Sequence, residues 1–357
     1  PRKPVSLVYL GRTMKKLKAR RRKRQLRLAS AAVLVLLCLV LTLMIGNSKE
    51  FEADPLIHLA LDVKGDEKFI YLMFFNSGYF DFVRSWICNI KLVDSRVLKR
   101  TLFVAGDTRA SELLLGSYPE AKVYTPENLQ YAEGAAYGTY EYFKLTLDRL
   151  TIQSNLIQSG INVFVIEADA VWFSAISEYM LEPLETYSII SADDGGEGLI
   201  SAGFLYFDEQ LSSFFEEYTN QYRDTLETLR QTNVSRIDSV DKGEQHMMTK
   251  LLTESDISVF WLDKCHFARG QWYDDPGYRL LCPHPKVIQN NYLAGNEQKI
   301  ARAKKWGHWF VNNDGTCLSH LPGINPLGNY DRGCEASFRS TNRVAHPLRR
   351  STLPSSI

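Results

Sequence analysis

Several motifs that identify common enzyme classes are missing from these 357 residues. The chain has no Gly-x-x-x-x-Gly-Lys-Ser/Thr loop, no Gly-x-Ser-x-Gly turn and no His-Glu-x-x-His motif. P-loop phosphate chemistry, α/β-hydrolase chemistry and zincin-type proteolysis therefore lack their defining residues. The absence of a close Cys-x-x-Cys pair argues against a structural zinc site, and no repeat of about 20 to 50 residues indicates a solenoid.

Acidic residues are absent from the first 48 positions, which contain 12 of the 42 lysines and arginines. The remainder holds 30 basic and 41 acidic residues, a formal charge of −11. A nucleic-acid-binding domain is expected to present a basic face, so we expect no nucleic-acid partner. The basic run from Lys15 to Arg24 is better explained by the apolar segment that follows it.

An apolar run at residues 28–48 follows this basic tail and contains no charged residue. Its 21 residues match the roughly 20 that a helix needs to span a bilayer, whereas a cleaved signal peptide has an apolar region of about 7 to 15. We therefore expect an uncleaved transmembrane signal anchor. The positive-inside rule places residues 1–27 in the cytosol and the chain beyond the anchor in a lumen.

One main domain is expected after the anchor, since single cores rarely outgrow roughly 250 to 300 residues. Residues 49–67 mix acidic residues with proline and glycine and are predicted to be a stem. Residues 68–337 are the predicted lumenal domain. Residues 338–357, rich in Ser, Arg and Pro, are predicted to be a flexible tail. Asn233-Val234-Ser235 is a glycosylation acceptor triplet, which is consistent with lumenal exposure.

Five of the six cysteines follow the anchor, namely Cys88, Cys265, Cys282, Cys317 and Cys334. In an oxidising lumen some of them are expected to form disulfides. The four in the last third of the chain predict two bridges, whose connectivity the spacing does not determine. That pattern leaves Cys88 as a free, buried thiol.

Apolar runs alternate with helical patterns from Lys68 onward. The runs 69–75, 102–105 and 163–166 are continuous, as expected of parallel strands buried on both faces. Helical spacing covers 82–93, 110–115 and 140–158, and further strands are predicted at 187–191 and 199–207. Strands that alternate with helices predict an α/β fold with a mostly parallel sheet flanked by helices.

Glu167 and Asp169 directly follow the predicted strand 163–166. In open α/β sheets, ligands bind beyond the carboxyl ends of the strands, so this pair marks the predicted site. Hard cations such as Mg²⁺ or Mn²⁺ bind carboxylate and phosphate oxygens together. Acid-x-acid triplets are common on surface turns, but the strand before the pair and the run 171–173 after it favour a metal and diphosphate site.

The segment Val165–Phe173 resembles the DxDxxW signature of the nucleotide-diphospho-sugar transferase family. Other segments resemble family motifs in the family's order across residues 68–312. They are Phe75-Asn76 with Tyr79 and Trp86, Lys144 in the helix before the signature, Ser201-Ala202-Gly203-Phe204, Gly243-Glu244-Gln245, and Asn290 to Gly295 with Lys299 and Arg302. Several weak motifs in a fixed order are more specific than any single one.

The resemblance implies a GT-A-like, Rossmann-type single sheet. It also implies a glycosyltransferase that moves a monosaccharide from a nucleoside diphosphate sugar to a glycan or glycoprotein acceptor. Together with the predicted signal anchor, this activity leads us to expect a Golgi membrane protein with a lumenal catalytic domain. A divalent ion, Mn²⁺ or Mg²⁺, would be bound by Asp169, with Glu167 facing the metal or the ribose. The implied nucleotide-sugar-binding residues are Asn76, Lys144, Glu167, Asn291, Gly295 and Lys299.

Asp193, Asp194 and Gln245 are the catalytic candidates. The two aspartates lie between two predicted strands, where an acceptor- or sugar-binding role competes with that of a flexible turn. Lys144 is either a solvated helix residue or a diphosphate contact, and the pair Lys299 and Arg302 is either solvent-facing or grips phosphate.

The chain departs from the family pattern at two positions. Glu167 stands where the family has Asp, and one extra methylene moves the carboxylate by more than about an ångström, a displacement at which positioned groups lose activity. Gln289 stands where many members have His, and an amide cannot become cationic. These departures leave open an alternative, a non-catalytic, membrane-anchored protein that binds a glycan or nucleotide sugar through a degenerate site.

Overall fold

The computed structural model describes residues 54–127, 129, 131, 135, 138–194, 198–232, 243–293 and 295–321. The predicted cytosolic tail, transmembrane anchor and C-terminal tail lie outside these residues, as do Asn233 and Cys334. Within the described part, no helix is both long and apolar enough to cross a membrane.

Ten strands occur in the described residues and form two sheets. They are β1 (Ile70–Phe75), β2 (Thr101–Ala105), β3 (Lys122–Tyr124), β4 (Val163–Ile166), β5 (Ala170–Trp172), β6 (Ile189–Asp193), β7 (Ile200–Phe207), β8 (Val259–Trp261), β9 (Phe267–Ala268) and β10 (Val287–Gln289). The main sheet has the order β3-β2-β1-β4-β7-β6-β8, and the small sheet has the order β5-β10-β9.

Neighbouring strands of the main sheet are parallel except at β7. β7 runs antiparallel to both β4 and β6. The predicted α/β class with a mostly parallel sheet is therefore confirmed. The expectation of a single sheet is wrong, because the chain turns out of the main sheet after β4 and its next strand, β5, pairs antiparallel with β10.

Eleven α-helices occur in the same described ranges. They are α1 (Pro55–Lys64), α2 (Phe80–Val93), α3 (Arg96–Lys99), α4 (Thr108–Ser117), α5 (Tyr140–Gln158), α6 (Ser177–Met180), α7 (Ser212–Thr232), α8 (Glu244–Glu254), α9 (Gln271–Asp274), α10 (Pro276–Leu281) and α11 (Asn296–Lys305). Short 3-10 turns occupy Ser77–Tyr79, Pro183–Glu185 and Glu209–Leu211.

The main sheet is buried on both faces, as its continuous apolar strands predicted. Along β1, Ile70 and Leu72 enter one apolar cluster, while Tyr71 and Met73 enter the other. Helices α5, α7 and α8 cover the first face, and α2 and α4 cover the second. Because helices occupy both faces, the open carboxyl ends of the strands are left to form a site.

The predicted stem contributes to the folded domain. Helix α1 lies within residues 49–67 and packs against the sheet through Leu56, Ala60 and Val63. Asp54 caps its first turn by accepting a hydrogen bond from the N–H of Leu56 at 2.9 Å. The boundary at residue 68 is therefore wrong for this helix, whose three apolar positions follow helical spacing within a segment too short to show a clear period.

Two disulfides join described cysteines, Cys88–Cys317 and Cys265–Cys282. The prediction that Cys88 is a free thiol is wrong. Cys88 lies on α2 in a small apolar cluster with Val171 and Phe310, and the segment after Phe310 packs onto that cluster with Cys317. A pairing across 229 residues depends on this packing and leaves no mark in the spacing of the cysteines.

The two disulfides are expected to differ in their effect on stability. Closing a loop of 229 residues removes conformational entropy from the unfolded chain and so stabilises the fold by about 5 kcal/mol. A loop of 17 residues stabilises it by about 3 kcal/mol. We expect Cys88→Ser with Cys317→Ser to lower the free energy of unfolding more than Cys265→Ser with Cys282→Ser. Thermal unfolding followed by circular dichroism checks this order, and a larger loss from the second pair would contradict it.

Candidate functional site

A three-residue turn, Glu167-Ala168-Asp169, connects β4 with β5 and is called the acidic turn. The N–H of Ala170 donates to the carbonyl of Glu167 at 3.2 Å. The buried amide of Asn89 then pairs with the backbone of Trp172, donating to its carbonyl at 2.8 Å and accepting from its N–H at 2.7 Å. Asn89 thus fixes β5 against α2, and the side chain of Trp172 is buried in the core.

Asp169 forms an ion pair with Lys299 from α11. The Oδ2 atom lies 2.6 Å from the Nζ of Lys299, which also donates to the hydroxyl of Tyr79 at 3.0 Å. Burial lowers the pKa of Lys299, but the negative charge of the neighbouring Asp169 opposes this effect. The net result is a pKa above the usual value for lysine, so the ammonium is held charged. Burial, followed by the charge of Asp169, raises the pKa of Tyr79 to about 12.

Glu167 packs against a glycine on β7. A Cβ atom at Gly203 would collide with the carboxylate of Glu167 and would lie 2.9 Å from the Nε2 of Gln289. Burial, and then the negative charge of Asp169, raises the pKa of the Glu167 carboxyl to about 7, while Arg149 and Lys299 oppose that rise. The carboxylate therefore occupies space that only glycine leaves open, and further positive charge would favour its ionised form.

The donor atoms at this turn suit a divalent cation that arrives with phosphate. The Oδ1 of Asp169 is buried and has no hydrogen-bond partner among the described residues. The same part of the chain contains no group of three His, Cys, Asp or Glu side chains placed to hold a metal. Mg²⁺ and Mn²⁺ sites of this kind use one or two carboxylates together with substrate phosphates, so Asp169 and Glu167 fit such an ion.

Asp194 is the centre of a second polar group. Its Oδ2 accepts a hydrogen bond from the Nε2 of Gln245 at 2.6 Å. Its Oδ1 accepts from the hydroxyl of Tyr292 at 2.8 Å and from the Nδ2 of Asn291 at 3.3 Å. An ionised carboxylate can only accept, so the NH₂ of Gln245 faces Asp194 and its amide oxygen is turned away from that residue.

Tyr292 and Arg269 belong to the second group and were not predicted from the sequence. The Nη1 of Arg269 donates to the Tyr292 hydroxyl at 2.7 Å and lies 3.9 Å from the Oδ1 of Asp194. Tyr292 adopts a φ of +62°, a left-handed conformation that is unfavourable for a bulky residue. Such strain is found where surrounding contacts fix a functional loop. No sequence pattern signals it.

The end of β10 joins the two polar groups. Gln289 accepts from the Oγ of Ser201 at 3.3 Å and lies beside Gly203. The N–H of Asn290 donates to the carbonyl of Asp169 at 3.2 Å, and its Nδ2 donates to the carbonyl of Lys299 at 2.9 Å. Asn291 continues to Asp194. Consecutive residues of one strand end thus connect the acidic turn with the Asp194 network.

Two predicted binding residues, Asn76 and Gly295, stabilise the backbone conformation next to these groups. The Oδ1 of Asn76 accepts from the N–H of Tyr79 at 3.0 Å and caps the turn that carries Tyr79. Gly295 precedes α11 with a φ of +87°, a conformation that suits glycine. Lys299 follows one turn later. The structure therefore places Asn76 and Gly295 where they orient the partners of Asp169.

Lys144 lies in a separate contact. Its Nζ donates to the hydroxyl of Tyr131 at 2.6 Å and lies 3.3 Å from the Oδ2 of Asp148. Arg149, five residues further along α5, is with Lys299 one of the cations that oppose the raised pKa of Glu167, and it also opposes the rise that burial causes in the pKa of Glu244. The Nε of Arg149 is buried and has no hydrogen-bond partner in the described ranges. Arg149 was not predicted from the sequence, because its burial follows from the packing of α5 and not from the residue pattern.

Arg302 is turned into the protein rather than toward the acidic turn. Its Nε donates to the Oδ1 of Asn290 at 2.7 Å, and its Nη1 lies 3.0 Å from the Oδ2 of Asp274. It therefore stabilises the end of β10 through Asn290.

Asp193 lies at the end of β6, opposite Ile200 of β7, and residues 195–197 of the same loop lie outside the described residues.

Gly203→Ala is expected to disturb the acidic turn. The added methyl group would displace Glu167 and Gln289, so we expect the melting temperature to fall by several degrees, as for an overpacked core costing about 1 to 3 kcal/mol. Thermal unfolding checks this. Gly116→Ala is the matched control, because nothing lies within 4 Å of its added Cβ, and it is expected to retain or raise the melting temperature. Equal behaviour of the two variants would contradict the packing described here.

The chain is similar to several known proteins. The model of the nucleotide-diphospho-sugar transferase family matches residues 96–303. A curated relative, the UDP-D-xylose:L-fucose alpha-1,3-D-xylosyltransferase of Arabidopsis thaliana, is 18% identical over 255 residues, which cover 67% of this chain and 68% of the relative.

Two solved structures are similar at a lower level. Mouse xyloside xylosyltransferase 1 in its apo form is 15% identical, with a TM-score of 0.40, over 63% of this chain and 98% of the mouse chain. The apo-form glycosyltransferase GlyE of Streptococcus pneumoniae TIGR4 is 12% identical, with a TM-score of 0.42, over 66% of this chain. The match spans 59% of the length of that bacterial chain.

The family match covers more than half of the chain and includes the acidic turn, β7, Gln245 and the β10 end. The chain therefore belongs to the nucleotide-diphospho-sugar transferase family and is a glycosyltransferase.

Proposed function

We propose that this protein transfers a monosaccharide from a nucleoside diphosphate sugar to a hydroxyl group of a glycan or glycoprotein. The carrying observation is the acidic turn at the carboxyl end of β4. There Asp169 offers one carboxylate oxygen to Lys299 and one buried oxygen with no partner in the described residues. This arrangement places a carboxylate ligand for a metal ion next to an ammonium group that can bind phosphate.

Charges of both signs flank the proposed diphosphate position. Lys299 and Arg149 are cations that act on Glu167, and both suit phosphate oxygens. Asp169 and Glu167 would hold Mn²⁺ or Mg²⁺. When bound, the ion would neutralise charge on the leaving diphosphate. The residues of the chain contribute chiefly by positioning and by electrostatic stabilisation.

We assign Asp194 to positioning and Gln245 to the reacting side of the second group. The carboxylate oxygens of Asp194 accept from Gln245, Tyr292 and Asn291, which leaves this aspartate engaged. The contact with Asp194 turns the carbonyl oxygen of Gln245 away from that network. An oriented carbonyl oxygen is suited to accept a hydrogen bond from a sugar hydroxyl.

The proposal extends to substrate and compartment. UDP-xylose is the first donor to test, because the curated relative is described as a xylosyltransferase that uses UDP-D-xylose. We place the protein in the Golgi membrane as a single-pass type II protein. The basic tail, the uncharged run at residues 28–48 and two disulfides support a lumenal domain in an oxidising compartment.

Asp169→Asn in the full chain, purified in detergent, tests the proposal. The substitution removes the charge that binds Lys299 and the cation, so we expect kcat/KM with the active donor to fall about 100-fold or more. Transfer and donor hydrolysis are measured with UDP-xylose and a panel of other nucleotide sugars in the presence of Mn²⁺.

Asp224→Asn is the control for that measurement, because Asp224 is exposed on α7 and the change of charge is the same. Absence of turnover with every donor would refute catalysis. Sugar binding without turnover would favour the non-catalytic alternative.

Arg149→Gln is expected to weaken the reaction more than Lys144→Gln. Arg149 acts electrostatically on Glu167, whereas Lys144 is engaged with Tyr131 and Asp148. We expect a loss in kcat/KM of about 10-fold or more for Arg149→Gln and less than about 3-fold for Lys144→Gln. Steady-state kinetics with varied donor concentration check the ranking, and the reverse ranking would make Lys144 the donor contact.

A further inference from the structure

The two oxygens of the Asp169 carboxylate have different surroundings. Oδ2 lies 2.6 Å from the ammonium of Lys299, while Oδ1 is buried and finds no hydrogen-bond partner in the part of the chain that the structure describes. Leaving a buried carboxylate oxygen unpaired is costly. Oδ1 is therefore a place for an additional ligand, on a carboxylate that already binds a cation through its other oxygen.

Lys299 is held beside Asp169 by several contacts. The hydroxyl of Tyr79 accepts from its Nζ at 3.0 Å, and the same nitrogen lies 5.8 Å from the centroid of the Tyr79 ring. The Nδ2 of Asn290 donates to the Lys299 carbonyl at 2.9 Å. With 16% of its side chain exposed, Lys299 is a built-in counter-ion of Asp169.

A divalent cation at Asp169 would compete with this counter-ion. Two positive groups on one carboxylate repel each other, and the repulsion is strong where little water screens it. Within the described residues no group of three His, Cys, Asp or Glu side chains is placed to hold a metal, so under the proposed function the cation has only the two carboxylates of the acidic turn as protein ligands. A diphosphate changes both conditions, because its oxygens supply further ligands to the cation and give the ammonium another anion to bind.

We propose that Lys299 makes metal binding depend on donor binding. In the free protein, the Lys299–Asp169 ion pair disfavours a divalent cation at Asp169. The diphosphate of the donor draws the ammonium toward itself and so admits the cation. This inference rests on the proposed function and adds to it, since Lys299 acts in the free protein as well as toward phosphate.

Titration of the full chain with Mn²⁺ in the absence of nucleotide tests the proposal, with free Mn²⁺ followed by its electron paramagnetic resonance signal. Lys299→Gln removes the competing charge and is expected to bind Mn²⁺ about 10-fold or more tightly than wild type. Tyr79→Phe keeps the ring but removes the hydroxyl that accepts a hydrogen bond from the Lys299 ammonium. We expect this variant to bind Mn²⁺ about 2- to 5-fold more tightly than wild type. Lys305→Gln makes the same charge change at an exposed position of α11 and is expected to leave the affinity unchanged.

Melting temperatures first establish that each variant is folded. If Lys299→Gln does not fold, Tyr79→Phe decides alone. Unchanged or weaker Mn²⁺ binding in the folded variants overturns the proposal, as does an equal gain for Lys305→Gln. Wild-type turnover decides the proposed function separately. Turnover without the expected change in Mn²⁺ affinity would refute only the coupling, and tighter Mn²⁺ binding without any turnover would refute only the transfer activity.

Discussion

The ion pair between Asp169 and Lys299 joins positions that are 130 residues apart. For it to form, the chain must turn out of the main sheet after β4, and β10 must bring the start of α11 to the same place. The pair is mostly buried, so removing one partner would leave an uncompensated charge and cost about 3 to 5 kcal/mol. The small sheet, the β10 end and α11 are consequently arranged around one electrostatic contact.

The two polar groups differ in how many hydrogen-bond partners their central carboxylates have. Around Asp169, the residues Asn89, Tyr79 and Asn290 fix backbone and ammonium, while the Oδ1 oxygen has no partner among the described residues. Around Asp194, by contrast, the carboxylate oxygens are engaged by an amide and a phenol. The first group is therefore suited to receive a ligand and the second to orient one.

The C-terminal part of the described chain supports the site from outside the main sheet. Arg302 binds Asn290 and Asp274 behind β10, and the disulfide from Cys88 to Cys317 attaches the segment after Phe310 to α2. These contacts bring sequence-distant segments against β5 and β10. A domain built only from the main sheet would lack the elements that hold Lys299 and Asn291.

The residue pattern was enough to predict the α/β class, the positions along the chain of strands β1, β2, β4, β6 and β7, and the location of the acidic pair. Continuous apolar runs and helical spacing are local signals, and the pair follows a strand directly. Folding is needed to see that Cys88 pairs with Cys317, that α1 joins the core, that β5 leaves the main sheet, and that Lys144 contacts Tyr131 and Asp148. These outcomes depend on packing and on charges brought together across the chain, for which residue spacing carries no information.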